Sequence, residues 1–286
     1  MLQFHPCGGF AEEGIEIQLT NGGGADKVMT AVLTDQADIG LAGPEACIYV
    51  YNQGKEDYPR VFAQLTKRDG SFLVGRTNES FEWADLRGKT IIGGRQGGMP
   101  QMVLEYILHQ NGIEMGTDAD VITNLDLSAT ASAFAAGPGD YTTEFEPGAS
   151  TLELAGQGHV VASLGVDSGY VPYTVYMTTS SLIEKKPELI QGFTNAIYKG
   201  LSWCQTHTSA EIAEVIHPQF SETDLTTLTT IIERYRSQDT WIDHPLMKES
   251  SLDLIQDILQ HAGTLEERIS YENAVVTTFA QNAAIQ

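Results

Sequence analysis

Glu144 and Glu146 flank Phe145 immediately before Pro147, a pattern in which one carboxyl could act as acid and the other as base. Nothing in the sequence marks the proton acceptor they would serve. No Ser or Cys stands in a G-x-S-x-G context and no His accompanies a nucleophile. The chain is therefore read as a non-enzyme, and its polar residues as binding groups. Lys89–Gln110 points the same way. A β-branched run, Thr90-Ile91-Ile92, meets the glycine turn Gly93–Gly98, and a helix opens with Pro100 near its first turn, where a missing N–H does no harm. Such a strand, loop and helix aims free backbone N–H groups at a ligand. It is no nucleotide loop of the Walker type, because Met99-Pro100 occupies the place of Lys-Ser/Thr. The glycine spacing also fails the dinucleotide fingerprint. A ligand lip and a plain βα turn both fit. Arg95 on this platform is either an anion or carbonyl contact or a solvated charge. Tyr170 and Tyr173 beside Pro172 either stack on a flat ligand or pack at a core or hinge.

Composition narrows the partners. The formal charge of −22 leaves no basic field for nucleic acid or an anionic membrane. No apolar run approaches the ~20 residues that span a bilayer. Cys7, Cys47 and Cys204 form neither a zinc pattern nor a disulfide framework, and the last two are expected to be buried packing residues. The histidines are scattered, so neither a metal nor another cofactor is expected.

The elements that would position these groups repeat. Glu16–Thr20 alternates as a strand and Ala25–Thr34 as a helix; Ala37–Ala42 is a buried strand, and Gly43-Pro44-Glu45 opens the helix Ala46–Asn52. Arg60–Leu65 and Phe72–Arg76 are two further strands. The same order then recurs as strand Asp120–Asn124, helix Ser128–Ala136, strand Gly139–Thr143 and a helix start at Pro147. Thr20 and Asn21 map onto Thr123 and Asn124 with an offset of 103, and so do Pro44 and Ala46 onto Pro147 and Ala149. Carried back, that offset sets Lys89 ahead of Met1. The repeat thus predicts roughly 15 further residues upstream, including the first strand of the first lobe. His159–Ser163 and Val171–Thr178 read as strands. Helices follow over 182–204, 209–216, 222–236 and 247–262, with Trp241 in a connector that either caps a groove or covers core.

Two βα lobes with a helical tail imply a cleft, and in open α/β sheets ligands sit outside the carboxyl ends of strands. The loops expected there carry Gly43 and Glu45; Arg68, Asp69 and Ser71; Arg95, Gln96 and Met99; Asp126; Thr143, Glu144 and Glu146; and Tyr170 with Tyr173. Glu45 either binds directly or only favours the dipole of its helix. One of Glu144 and Glu146 is expected to face the ligand and the other to serve the following helix.

These residues carry a resemblance. FAEEGIEIQL (10–19), AVLTDQADIGLAGPEA (31–46), QLTKRDGSFLVGR (64–76), DLRGKTIIGGRQGGMPQMVLEYILHQNGI (85–113) and FAAGPGDYTTEFEPGAS (134–150) resemble the NMT1/THI5-like and nitrate/sulfonate/taurine group of solute-binding proteins of ABC importers. The similarity runs from Phe10 to about residue 260. It implies a type II periplasmic-binding α/β fold, with lobe I at 1–70 and 180–286, lobe II at 71–179 and two crossover strands as the hinge. It also implies a monomeric, extracytoplasmic receptor that closes on a small molecule and presents it to a membrane permease. The CCCFC motif of the pyrimidine synthases on this fold is absent, which separates the chain from that enzyme reading. No signal peptide or lipobox precedes Cys7 in this sequence. An enzyme of thiamine-pyrimidine or menaquinone synthesis and a detached ligand-sensing domain are the rival implications. The loop carboxylates Glu45, Asp126, Glu144 and Glu146 outnumber the cations Arg68 and Arg95, which favours a neutral or cationic amine or heterocycle over a simple anion.

Overall fold

The structure, a computed structural model, describes residues 9–137 and 139–283. His5 and Cys7 lie outside the described residues. Eight strands are present among them: β1 (Gly40–Ala42), β2 (Pro59–Thr66), β3 (Ser71–Gly75), β4 (Thr90–Ile92), β5 (Asp120–Ile122), β6 (Tyr141–Phe145), β7 (His159–Ser163) and β8 (Thr174–Thr179). The chain forms two compact units. One holds the residues up to Lys67, Pro172–Gln256 and those from Leu265 onward; the other holds Arg68–Val171 and Asp257–Thr264.

The first unit is built on a sheet of order β1-β8-β2, in which β8 runs antiparallel to both neighbours. β8 falls within the stretch assigned from sequence to the second lobe, yet it pairs here because its alternation suits this sheet. Val175 and Met177 are buried, and Met177 Sδ accepts from the Cys47 thiol at 3.3 Å. Tyr176, between them, meets Phe62 and Phe193 on the opposite side. The core cluster there joins Phe62 and Ala63 to Ile190, Phe193, Ile197 and Leu201 of the helix Pro187–Thr206. Trp241 packs against that cluster and bridges Thr66, so it covers core.

Three further expectations change. Residues 16–20 form no ladder; Ile15 and Ile17 pack on the core cluster while Leu19 is 58% exposed. No described strand lies beside this segment to take its N–H and C=O groups. The helical stretch expected over 182–204, with a start at Pro187, divides at Lys186 into Ser180–Lys185 and Pro187–Thr206, the long helix beginning at that proline. Pro187 drives the residue before it out of the helical region, and Lys186 sits at φ −133°, ψ 53°. Cys204 is only partly buried, on a helix whose core face is carried by Phe193, Ile197 and Leu201.

The second unit holds a five-stranded sheet of order β5-β4-β6-β3-β7. β4 is parallel to β5 and β6, and β3 is antiparallel to β6 and β7. In the helix Met99–Gln110, Met102, Val103, Leu104, Ile107 and Leu108 are fully buried, so the helix is enclosed over most of its circumference. Among the described residues no helix is long and apolar enough to cross a membrane.

Candidate functional site

In the second unit, strand direction gathers the candidates at one rim. The parallel strands β4, β5 and β6 all end at the same edge of the sheet, delivering Gly93–Met99, Thr123–Asp126 and Phe145–Pro147 there. β3 begins at that edge, with Ser71 opposite Phe145, and β7 ends there, with Ser163 opposite Phe72. Every candidate from Arg68 to Tyr170 therefore lies at or just inside this rim.

Their chemistry differs from residue to residue. The glycine loop is tied down by its backbone: Gln96 N–H donates to Thr123 O at 2.8 Å and Gly98 N–H to Arg95 O at 3.0 Å. Gly97 N–H donates to Gln101 Oε1 at 3.0 Å. Gly94 and Gly97 turn through φ 85° and 75°, a region that disfavours any side chain. Arg95 and Gln96 are left exposed on this platform, whereas Met99 is buried in the first helical turn and belongs to the core. Asp126 is exposed at the start of the helix Leu127–Ala136, where its carbonyl, and not its carboxylate, takes the Ala129 N–H.

Thr143, expected at the end of a strand, and Glu144, expected on the loop after it, both lie within β6. The Thr143 hydroxyl is buried and donates to Ile92 O at 3.3 Å, which makes it a sheet tie. Glu144 is buried and accepts from the Thr142 hydroxyl at 2.8 Å. Burial pushes its carboxyl above the ordinary range, and hydrogen bonds from Thr142 and Thr130 oppose that rise. Glu146 accepts from both the N–H and the hydroxyl of Ser150 at 3.0 Å, so it is the carboxylate that serves the following helix, Gly148–Leu154.

Asp69 and Ser71 form a local lock. Both are buried, and Asp69 Oδ1 accepts from the N–H and the hydroxyl of Ser71 at 2.6 Å each. Asp69→Ala would leave a buried N–H without this acceptor, an expected loss of about 1–3 kcal/mol in a denaturation experiment. Asp69→Asn keeps an acceptor and should lose less. Arg68 braces the neighbouring turn: its guanidinium donates to Gly165 O at 2.7 Å and stands 4.4 Å from the centre of the Tyr170 ring. Tyr170 is 53% exposed, so the braced ring remains open to a flat partner.

The first unit has its own rim. β1 and β2 are each antiparallel to β8, hence parallel to one another, and they end at Gly43–Glu45 and Lys67 where Tyr173 leads into β8. Glu45, at the start of the helix Glu45–Asn52, is 7% exposed and curls back over Gly43. A Cβ on Gly43 would stand 1.9 Å from Glu45 Oε2. Burial pushes the Glu45 carboxyl up to about 7, against the pull of its own backbone N–H. Its Oε2 has no hydrogen-bond partner. Lys67 is engaged by Asp239 at 2.9 Å and Asp243 at 3.2 Å, and the Thr66 and Thr174 hydroxyls meet at 2.7 Å.

Two residues at these rims escaped the sequence-based selection. Gln64 is 1% exposed on β2; its Nε2 donates to Thr66 O at 2.9 Å and its Oε1 has no partner. A lone amide inside the apolar run Val61–Leu65 was the available signal. Ser168, just before Tyr170, is buried with its hydroxyl unpartnered. A polar surface hollow of about 290 Å³, lined by Thr77, Glu79, Phe81, Asp85, Lys89 and Tyr141, opens at the other edge of the second unit's sheet, away from the candidates. Among the described residues no group of three His, Cys, Asp or Glu could hold a metal ion.

Comparison with known proteins adds the following. Residues 7–210 match the family model described as NMT1/THI5 like. The chain is 43% identical over 275 residues to a protein of Bacillus subtilis (strain 168) named "Putative binding protein YtlA", covering 96% of this chain and 82% of the relative. Among solved structures, the alkanesulfonate-binding protein SsuA from Xanthomonas axonopodis pv. citri, bound to MOPS, superposes with a TM-score of 0.72 at 17% identity. That match covers 92% of this chain and 88% of the other. The periplasmic aliphatic sulphonate binding protein SsuA from Escherichia coli gives 0.70 at 18% identity, over 91% and 87% of the two chains. At such identities the likeness is one of fold.

Proposed function

This chain belongs to the NMT1/THI5-like family, and from that premise we propose that it is the solute-binding component of an ABC importer. It works outside the cytoplasm as a monomer, captures a small molecule and presents it to a membrane permease. The observation that carries this reading is the assembly of polar candidates at the carboxyl rim of each unit's sheet, where α/β folds take ligands. No nucleophile with a general base stands at either rim among the described residues, and binding rather than turnover fits what is there.

The ligand is a neutral or cationic amine or nitrogen heterocycle. Its supports are the acceptor groups Glu45, Asp126 and Glu144 and the exposed ring of Tyr170, set against Arg95 as an exposed cation and Arg68 as a brace within its own turn. Thermal unfolding against pyrimidines, thiamine, riboflavin, polyamines, alkanesulfonates and nitrate tests the proposal. A true ligand at a thousandfold excess over its Kd should add about 4 kcal/mol of stability. Stabilisation by sulfonate or nitrate alone would reject the ligand class, and product formation from a bound compound would reject the binding-protein reading.

A further inference from the structure

We propose that the hollow at the far edge of the second unit's sheet is a separate site for an amino-acid-like zwitterion, its ammonium taken by Glu79 and Asp85 and its carboxylate by Lys89. The hollow lies away from the rim residues and stands independently of the solute-binding reading. Strand ends fix its place. β3 ends at Gly75, β6 begins at Tyr141 and β4 begins just after Lys89, so the three meet at the edge opposite the candidate rim. Gly75 pairs with Tyr141, and a Cβ on it would stand 2.9 Å from Tyr141 Cε1 and 3.4 Å from Val161 Cγ1. The bare glycine thus lets the phenol ring lie close over the strand, where it lines the hollow.

The segment that completes the wall is held at both ends. Arg76 donates to Gly139 O and Gly137 O at 2.9 Å each, with its guanidinium 3.7 Å from the centre of the Phe134 ring. At the other end Asp85 Oδ2 accepts the Glu82 N–H at 2.9 Å, in a capping box at the start of the short helix Trp83–Leu86. Between these anchors Phe81 meets Tyr141 at 5.8 Å and Trp83 at 5.3 Å, measured between ring centres. The hollow therefore has a fixed aromatic wall, and its volume of about 290 Å³ suits a molecule of amino-acid size.

Its charges are of both signs and are not paired with one another. Glu79, Asp85 and Lys89 line one hollow, yet among the described residues no ion pair joins the lysine to either carboxylate. Burial holds the Tyr141 phenol above its ordinary range, and the charges of Asp85, Asp140 and Glu79 push it the same way. Lys89 is not among the charges that act on it, so the carboxylates gather at the phenol and the ammonium stands apart. Asp140 spends an oxygen on the Thr90 N–H at 2.9 Å, which leaves Glu79 and Asp85 as the acceptors that line the hollow. A lone cation would answer the carboxylates and leave Lys89 idle; a lone anion would answer Lys89 and be repelled by the carboxylates. A zwitterion answers both poles, and an apolar chain on it would rest against Phe81 and Val161.

The test is calorimetric titration of the full chain with two zwitterions, L-leucine and 4-aminobutyrate, and with 3-methylbutylamine and 4-methylpentanoate, which each keep one pole of leucine. Wild type, Glu79→Gln and Lys89→Gln are compared. The expected result is binding of at least one zwitterion to wild type, weakened about tenfold or more in both variants, with neither single-pole compound binding as well. Equal affinity in wild type and both variants would place the binding elsewhere and overturn the site. Binding of 3-methylbutylamine as tight as that of either zwitterion would overturn the role of Lys89 and with it the proposed ligand class. Failure of both zwitterions to bind wild type would also overturn the proposal. Both substitutions fall on side chains that are not buried, and thermal unfolding of each variant shows whether a lost signal reflects lost fold.

Discussion

Glu45→Gln is expected to make the protein more stable at pH 8, by about 3 kcal/mol, with the gain vanishing near pH 4.5. The sign follows from the direction of the shift. Burial raises the Glu45 carboxyl from an unfolded value of 4.5 to about 7. Below 4.5 both states hold the proton and Glu45 makes no pH-dependent contribution. Between 4.5 and 7 the unfolded chain releases the proton while the folded one keeps it, so stability falls as pH rises. Above 7 both are ionised and the full cost stands. Gln carries no proton to lose, so the variant should lack this slope. Urea denaturation of both proteins at pH 4.5, 6 and 8 measures it; parallel stability curves would show that the carboxyl is not held buried and neutral. A stabilising change at a site residue is the pattern expected where binding and stability compete.

Much of this architecture is legible in the sequence, for reasons that are local. Gly and Pro punctuate the turns at Gly43-Pro44, Gly93–Gly98 and Pro147, and Leu104, Ile107 and Leu108 recur at i, i+3 and i+4 along the helix that follows the glycine loop. What was not legible is non-local. Residues 16–20 have the alternation of a strand, but a strand forms only where a neighbour accepts its hydrogen bonds. β8 could be read as a strand from its own residues, yet its sheet was decided by Leu41 and Gln64, which lie more than a hundred residues away in sequence. Glu144 resembled a polar loop residue, and Thr143 a binding group at a strand end, because burial of polar groups is invisible until their partners, Thr142 and Ile92 O, are known. Glu146 illustrates the reverse case: the sequence left two carboxylates with two exchangeable roles, and only the Ser150 contacts assign the capping role. Gln64 was missed for the same reason as Glu144, since a single amide in an apolar strand gives no hint of which of its atoms goes unpaired.

Gly165→Ala should be among the most damaging small substitutions at the second unit's rim. A Cβ there would stand 2.2 Å from the carbonyl oxygen of Asp69 and 3.2 Å from Arg68 Cβ. Backbone atoms have no rotamer by which to escape, so the segments must separate. The same movement would pull Gly165 O away from the Arg68 guanidinium, which donates to it at 2.7 Å, and would disturb the turn in which Asp69 holds Ser71. Overpacking of this kind costs about 1–3 kcal/mol, and the coupled hydrogen bonds place the expected loss at or above ~3 kcal/mol. Gly200→Ala is the matched control. Gly200 lies inside the helix Pro187–Thr206, and a Cβ on it meets nothing within 4 Å. Alanine there should stabilise the helix by about 0.5–1 kcal/mol, because glycine gives up more backbone freedom on folding. Thermal unfolding of the two variants beside wild type should therefore move in opposite directions. A Gly165→Ala protein as stable as wild type would mean that the Asp69 turn can open without loss, and the brace that Arg68 lends to Tyr170 would then have to be sought elsewhere.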